Sequence, residues 1–344
     1  MNITVELPPN LEEQVRTIPL LRGRNSLLAT AVTIFLWYCF GTFVDAAAIY
    51  WTQIIGPAGT HSIQRADSEG SGIETVVTGL SHPRGITLDV GNDRMYWMEP
   101  GVLKIRSAKL DGSSPTDVVA TNDGAAWLAL DPNESKMYWT DSDGSAINSG
   151  QITGRIRRAN LDGTNIENLV TQNLVHPVGI ALDLLHGKIY WTNLEHNFDG
   201  TGEIQRSNLD GTNVENILTG IDEANSLTID AIGGKLYWTD LRTKSIQRSN
   251  MDGTGLENVV TGLDSPTSVA LNLSEGKMYW TNAGPPASEN LIQRSNLDGT
   301  NVENVVSGNF FPWGLAIVPE PSSLILIAIG FAALSTSRRR QPSC

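Results

Sequence analysis

The chain has 344 residues, room for one large domain or two ordinary ones, with 24 Lys+Arg against 37 Asp+Glu. A formal net charge of −13 argues against nucleic acid, whose phosphates demand a basic face, and allows a basic partner without implying one, since acidity also serves solubility. The two cysteines, Cys39 and Cys344, flank the body rather than occupy it, which excludes an intrachain disulfide framework or a Cys-based zinc site there.

Arg22 and Arg24 precede an uncharged, mostly apolar stretch from Asn25 to Val44. Asp45-Ala46-Ala47-Ala48 follows, and Ala46-x-Ala48 is a small-residue cleavage pattern. A basic region, an apolar run and small residues at the exit predict an export signal over residues 1–48. The stretch is also long enough to span a bilayer, so an uncleaved anchor is the rival reading. Cleavage is favoured because the first strand, Ile49-Tyr50-Trp51-Thr52, begins at once and leaves an anchor no linker.

From there one tetrapeptide recurs six times. The copies begin at Tyr50, Tyr96, Tyr138, Tyr190, Tyr237 and Tyr279, and read Tyr-Trp-Thr-(Asp/Asn/Gln), with Tyr96-Trp97-Met98-Glu99 as the variant. A period of roughly 40–50 residues signals a propeller or solenoid. Each unit offers four short strands. These are an apolar run such as Val178–Asp183, the aromatic run such as Lys188–Thr192, an Ile-Gln-Arg run such as Ile204–Arg206, and an alternating run such as Val214–Leu218. Alternation and β-branched content read as strand, and Asp-Gly pairs such as Asp162-Gly163, Asp210-Gly211 and Asp298-Gly299 supply the positive φ of the turns.

The six copies resemble the YWTD repeats of the low-density lipoprotein receptor class, over essentially all of residues 49–318. The resemblance implies an all-β, six-bladed propeller with four antiparallel strands per blade. The order of elements at the two ends predicts how the ring closes. The body starts with a second strand and ends with a first strand, Trp313–Ile317, so the last strand completes the first blade and twenty-four strands result.

The tyrosines and tryptophans of the repeat are read as structural, filling the space between blades. In the family the fourth position ties neighbouring blades, which implies that role for Asp141, Asn193, Asp240 and Asn282. Gln53, Glu99 and Met98 depart from the pattern and predict differently packed blades. In propellers the loops entering the first strands share a face with those between second and third strands. That face collects Arg84, Trp127, His176, Phe311 and Trp313, beside the longer connections Gln53–Ser62, Asp141–Gln151, Asn193–Glu203 and Asn282–Leu291. Binding usually lives on variable loops of a rigid scaffold, and tryptophan combines a large apolar face with a donor. The bland reading makes each tryptophan a plug of the central channel.

His82, His176 and His196 lack a second member at fixed spacing, and His82-Pro83 matches His176-Pro177 by repeat position. Asp141-Ser142-Asp143-Gly144 and Asn197-Phe198-Asp199-Gly200 hold oxygen donors but complete no EF-hand loop. Glu223 and Asn225 stand at the channel mouth as a weak calcium pair. Some other six-bladed propellers hydrolyse esters with calcium in the channel, so a lactonase-like hydrolase is the enzymatic alternative, by fold analogy alone.

The chain ends Val318-Pro319-Glu320-Pro321-Ser322-Ser323, an apolar run from Leu324 to Leu334, then Arg338-Arg339-Arg340. These three parts resemble the bacterial PEP-CTERM sorting signal over residues 319–344. The resemblance implies recognition by an exosortase-type protease, a short membrane-crossing helix held at least transiently, and delivery to the surface or matrix. The arginines stay cytoplasmic by the positive-inside rule, which puts the propeller outside. The expected protein is an exported, monomeric, non-enzymatic module that binds protein or polysaccharide through one propeller face. A purely architectural surface role is the third reading.

Overall fold

A computed structural model describes residues 47–54, 61–121, 125–142, 154–174, 176–194, 202–221, 223–284, 290–308 and 310–319. The apolar segments at both ends, expected to be helical, lie outside the described residues. So do Ala46, His196, Glu320, Pro321, Arg338, Arg339, Arg340 and most of the four longer connections. Among the described residues, no helix is long and apolar enough to cross a membrane.

Twenty-four strands form six four-stranded antiparallel sheets, the blades of a propeller. Blade 1 begins with β1 (Ala48–Ile54), β2 (His61–Asp67) and β3 (Glu74–Leu80). Blade 2 holds β4 (Ile86–Asp89), β5 (Arg94–Glu99), β6 (Lys104–Lys109) and β7 (Thr116–Ala120). Blade 3 holds β8 (Leu128–Asp131), β9 (Lys136–Ser142), β10 (Gly154–Asn160) and β11 (Glu167–Val170). Blade 4 holds β12 (His176–Asp183), β13 (Lys188–Leu194), β14 (Gly202–Asn208) and β15 (Glu215–Ile221). Blade 5 holds β16 (Ala224–Asp230), β17 (Lys235–Asp240), β18 (Ser245–Asn250) and β19 (Glu257–Val260). Blade 6 holds β20 (Pro266–Asn272), β21 (Lys277–Asn282), β22 (Asn290–Asn296) and β23 (Glu303–Gly308).

The last strand, β24 (Phe311–Val318), pairs with β1 and completes blade 1, as the order of elements predicts. Ala48 lies opposite Val318 and Trp51 opposite Leu315. The first strand of the body starts one residue before the predicted Ile49, and Ala47 ahead of it is fully buried.

The repeated tryptophans Trp51, Trp97, Trp139, Trp191, Trp238 and Trp280 are each at most 1% exposed and fill the layers between blades. In blades 4, 5 and 6 the third strand carries Gln and the indole N–H has a partner: Trp191, Trp238 and Trp280 donate to Gln205, Gln247 and Gln293 at 2.9–3.1 Å, whereas in blade 1 Gln64 turns to Ser62 and Thr75 instead. Blades 2 and 3 put Arg at that place. Arg106 then pairs with Glu99 and Arg157 with Asp141, at 3.1 and 3.0 Å.

The blades are stitched by the third letter of the repeat. Thr52 donates to the Arg84 carbonyl (2.8 Å), Thr140 to that of Val178 (2.7 Å) and Thr281 to that of Trp313 (3.1 Å), each on the next blade. The same hydroxyls accept where the first strand is irregular: Gly314 N–H donates to Thr52 Oγ1 and Gly179 N–H to Thr192 Oγ1, both at 2.8 Å. Met98 has no hydroxyl, and at this joint Gly85 N–H donates to the Ala126 carbonyl at 3.1 Å while Met98 packs with Met137 and Trp139 of blade 3.

The fourth letter has two uses. Asn193 Oδ1 accepts from His176 N–H, Asn282 Oδ1 from Asp264 and Ser265, and Glu99 from Ser81. These carboxamides and the carboxylate hold the crossover arriving from the preceding blade. Asp240 instead caps its own turn through Arg242 and Thr243 N–H, and Asp141 pairs with Arg157 inside its own blade.

Candidate functional site

The six innermost strands enclose a channel of about 320 Å³. Its wall is mixed, with Ile86, Leu128, Ile180, Leu227, Val269 and Leu315 each contributed by a different blade and Thr87, Ser226, Thr228 and Ser268 among them. Each innermost strand is entered from a crossover, so the residues just before it and in its first pairings crown one mouth. That is where Arg84, Trp127, His176, Phe311 and Trp313 sit.

Glycines let the strands converge there. A Cβ on Gly85 would lie 2.9 Å from Trp127 Cε3, and one on Gly314 would lie 2.5 Å from the Arg84 carbonyl oxygen. The close approach gathers blades 1, 2 and 3. The Arg84 guanidinium carbon stands 5.5 Å from the Trp313 ring centroid, a cation–π distance. Trp313 stacks on Phe311, with centroids 6.3 Å apart and planes at 29°. Trp313 also packs against the core cluster that contains Trp127. Trp127 is only 7% exposed and lines the channel, so it serves as wall as much as crown. His176 opens β12 on blade 4, where its backbone N–H meets Asn193.

Arg84 is unlike the arginines of the third strands. Arg65, Arg106, Arg157, Arg158, Arg206, Arg248 and Arg294 each pair with a carboxylate. Among the described residues no carboxylate pairs with Arg84. Burial lowers its pKa from the usual guanidinium value, the direction expected for a cation partly removed from water without a counter-charge. The indole N–H groups of Trp127 and Trp313 find no acceptor among the described residues either. The mouth thus offers a cation beside aromatic faces, with the two indole N–H groups buried behind it.

Sequence reasoning missed His61, at the start of β2. Its ring lies 4.6 Å from that of His82, and burial, followed by the His82 charge, lowers its pKa. The signal was present: His61 closes a second-to-third connection, and those share the crossover face with His82. Pro319 directly follows β24. Glu223 accepts from Leu241 N–H through its backbone carbonyl, and the Asn225 amide donates to the Thr267 carbonyl at 2.9 Å. Among the described residues no group of three or more His, Cys, Asp or Glu is gathered as a metal site.

Comparison with known proteins places these features. The family model for low-density lipoprotein receptor repeat class B matches residues 135–184 and 234–271, and that for the PEP-CTERM protein-sorting motif matches residues 318–340. The chain carries both. Mouse nidogen-2 is 41% identical over 66 residues, 19% of this chain and 4% of that protein. The human low-density lipoprotein receptor-related protein 5-like protein is 29% identical over 144 residues, 42% of this chain and 53% of that protein. The chain therefore spans about half of one curated relative and a small part of the other. A chain from a nidogen/laminin complex superposes with a TM-score of 0.66 at 22% identity, covering 79% of this chain and 98% of that one, which shows the shared fold. The sorting motif marks the chain for export and sorting at a membrane.

Proposed function

We propose that this chain is an exported, non-enzymatic binding protein that captures an extracellular protein or polysaccharide at the crossover mouth of its propeller. The observation that carries the reading is Arg84, held over Trp313 with no carboxylate partner among the described residues. A partly buried guanidinium with no carboxylate partner among the described residues suits a ligand that brings an anion, and the Phe311–Trp313 stack suits its apolar part. The nidogen relationship fits, since one similar structure is of a complex with laminin. An exosortase-type enzyme is the partner that the tail implies, with the cell surface or matrix as destination.

The polarity of the end strands supports the same function. β24 runs from Phe311 at the mouth to Val318 at the opposite side, and β1 starts there beside it at Ala48. A tether through either end would leave the site facing away from the membrane.

The test is capture from the organism's own envelope and matrix extracts on the exported wild-type protein, Arg84→Gln and Phe311→Ala, with folding checked by circular dichroism. Loss of a charge-assisted contact worth about 1.5–3 kcal/mol predicts a fall in affinity of roughly tenfold or more for Arg84→Gln. Capture indifferent to both substitutions would remove this face from the function. No specific capture by the wild type would favour an architectural role.

A further inference from the structure

The start of the folded body bears on how the leader is removed. The small-residue pattern Ala46-x-Ala48 marks the bond after Ala48. The fold needs both residues on the amino side of that bond. Ala47 is 0% exposed, and its carbonyl accepts from Ser68 N–H at 2.9 Å. Ala48 lies in the ladder between Asp67 on β2 and Val318 on β24. Ile49, which would become the new terminus, is 0% exposed and paired on both sides. Hydrolysis there would strip the mature protein of the carbonyl that Ser68 binds and of the Ala48 rung between β2 and β24, leaving two strands short of a partner at their ends.

Two residues upstream the sequence offers an equivalent site: Val44-Asp45-Ala46 also places small residues one and three positions before a bond. We propose that the leader is hydrolysed between Ala46 and Ala47. Water supplies the hydroxyl to the Ala46 carbonyl carbon, the C–N bond breaks, and Ala47 leaves as the free amine of the mature protein. The peptidase meets the chain before it folds, so the fold does not steer the enzyme. It determines which product keeps a complete first strand. The same limit applies at the other end, where Val318 is buried and paired to Ala48, and the Pro-Glu-Pro sequence follows directly at Pro319.

This inference rests on residues 1–46 being a cleaved leader, and one experiment separates the two claims. The full chain is expressed with export in a Gram-negative host, and the amino terminus of the exported protein is read by mass spectrometry. A terminus at Ala47 is expected. A terminus at Ile49 overturns the proposed bond while leaving the leader reading intact, and a chain retaining the leader overturns the leader reading itself. Two variants test the bond independently. Val44→Phe fills the third position before the proposed bond and is expected to reduce the Ala47 product severalfold. Ala48→Leu blocks only the downstream bond and is expected to leave that product unchanged. The reverse pattern would overturn the proposal. Cleavage precedes folding, so both variants are readable even if Ala48→Leu folds poorly.

Discussion

Gly253 has no room for a methyl group. Its φ is +83°, and a Cβ there would sit 1.9 Å from the Ile217 carbonyl oxygen of the preceding blade. The same contact recurs at Gly70, Gly112, Gly163, Gly211 and Gly299, each against the outermost strand of the blade before it. The Asp-Gly turn is therefore a blade-to-blade contact as well as a turn. Gly187 shares the positive φ, at +67°, but has nothing within 4 Å. Gly187→Ala should cost only the left-handed backbone penalty, about 1–2 kcal/mol, and Gly253→Ala should add overpacking, for about 2–5 kcal/mol in total. Denaturant unfolding of the two variants measures the difference, and equal losses would show that the blades do not touch there. Thr140→Val keeps shape but removes the hydroxyl that reaches the Val178 carbonyl, so a loss of about 1–3 kcal/mol is expected from the same measurement.

At the scale of the element, the turns between third and fourth strands are also electrostatic devices. Asp162, Asp210, Asp252 and Asp298 each accept from the hydroxyl and backbone N–H of the threonine two residues on. Those bonds, the hydroxyl first, hold the carboxyls below the usual aspartate value. A depressed folded pKa stabilises above the unfolded value, about 3.9, and that contribution is lost as pH falls through the lower folded values. The thermal midpoint should therefore hold between neutral pH and about pH 5 and fall below about pH 4. A melt series across that range checks it, and Thr→Val substitutions in several turns should flatten the acid limb.

These turns were legible because Asp, Gly and Thr are local determinants that act within four residues. The six blades and their closure were legible for a related reason, since a repeat states its register six times. The threonine stitch was not, because a hydroxyl that reaches a carbonyl 32 to 38 residues away leaves no mark in its own neighbourhood. Nor was the split in the fourth letter. Asn193 and Asp240 occupy the same register, and what they bind depends on whether the next residues turn tightly, as Arg242 and Thr243 do. At the mouth, the repeat register alone put Arg84, Trp127, Phe311 and Trp313 on one face. That no carboxylate among the described residues pairs with Arg84 depends on several neighbours at once, which the linear sequence does not display.

For the whole molecule the question is what keeps the ring shut. The body between Cys39 and Cys344 has no cysteine, and the backbone ladder that fastens its two ends is the β24–β1 pairing of residues 48 and 318, with Arg294 of blade 6 reaching Glu69 and the Ser68 carbonyl beside it. Other adjacent strands of a blade are joined by a short connection, so their pairing re-forms quickly after a local opening. β24 and β1 meet from opposite ends of the body, and the entropy of closing a loop grows with its length. Blade 1 is thus the expected site of first opening. Cα atoms of directly paired antiparallel residues lie about 4.5–5.5 Å apart, within the span of a disulfide. Ala48→Cys with Val318→Cys should therefore cross-link under oxidising conditions and, by restricting the unfolded chain, stabilise the body by about 2–4 kcal/mol over its own reduced form. Comparing the two redox states of one variant cancels the cost of the substitutions at the half-buried Ala48 and buried Val318. Hydrogen exchange should show blade 1 gaining most of the protection. If the gain is spread evenly over six blades, the ring opens as one cooperative unit and β24 is no weaker than any other strand.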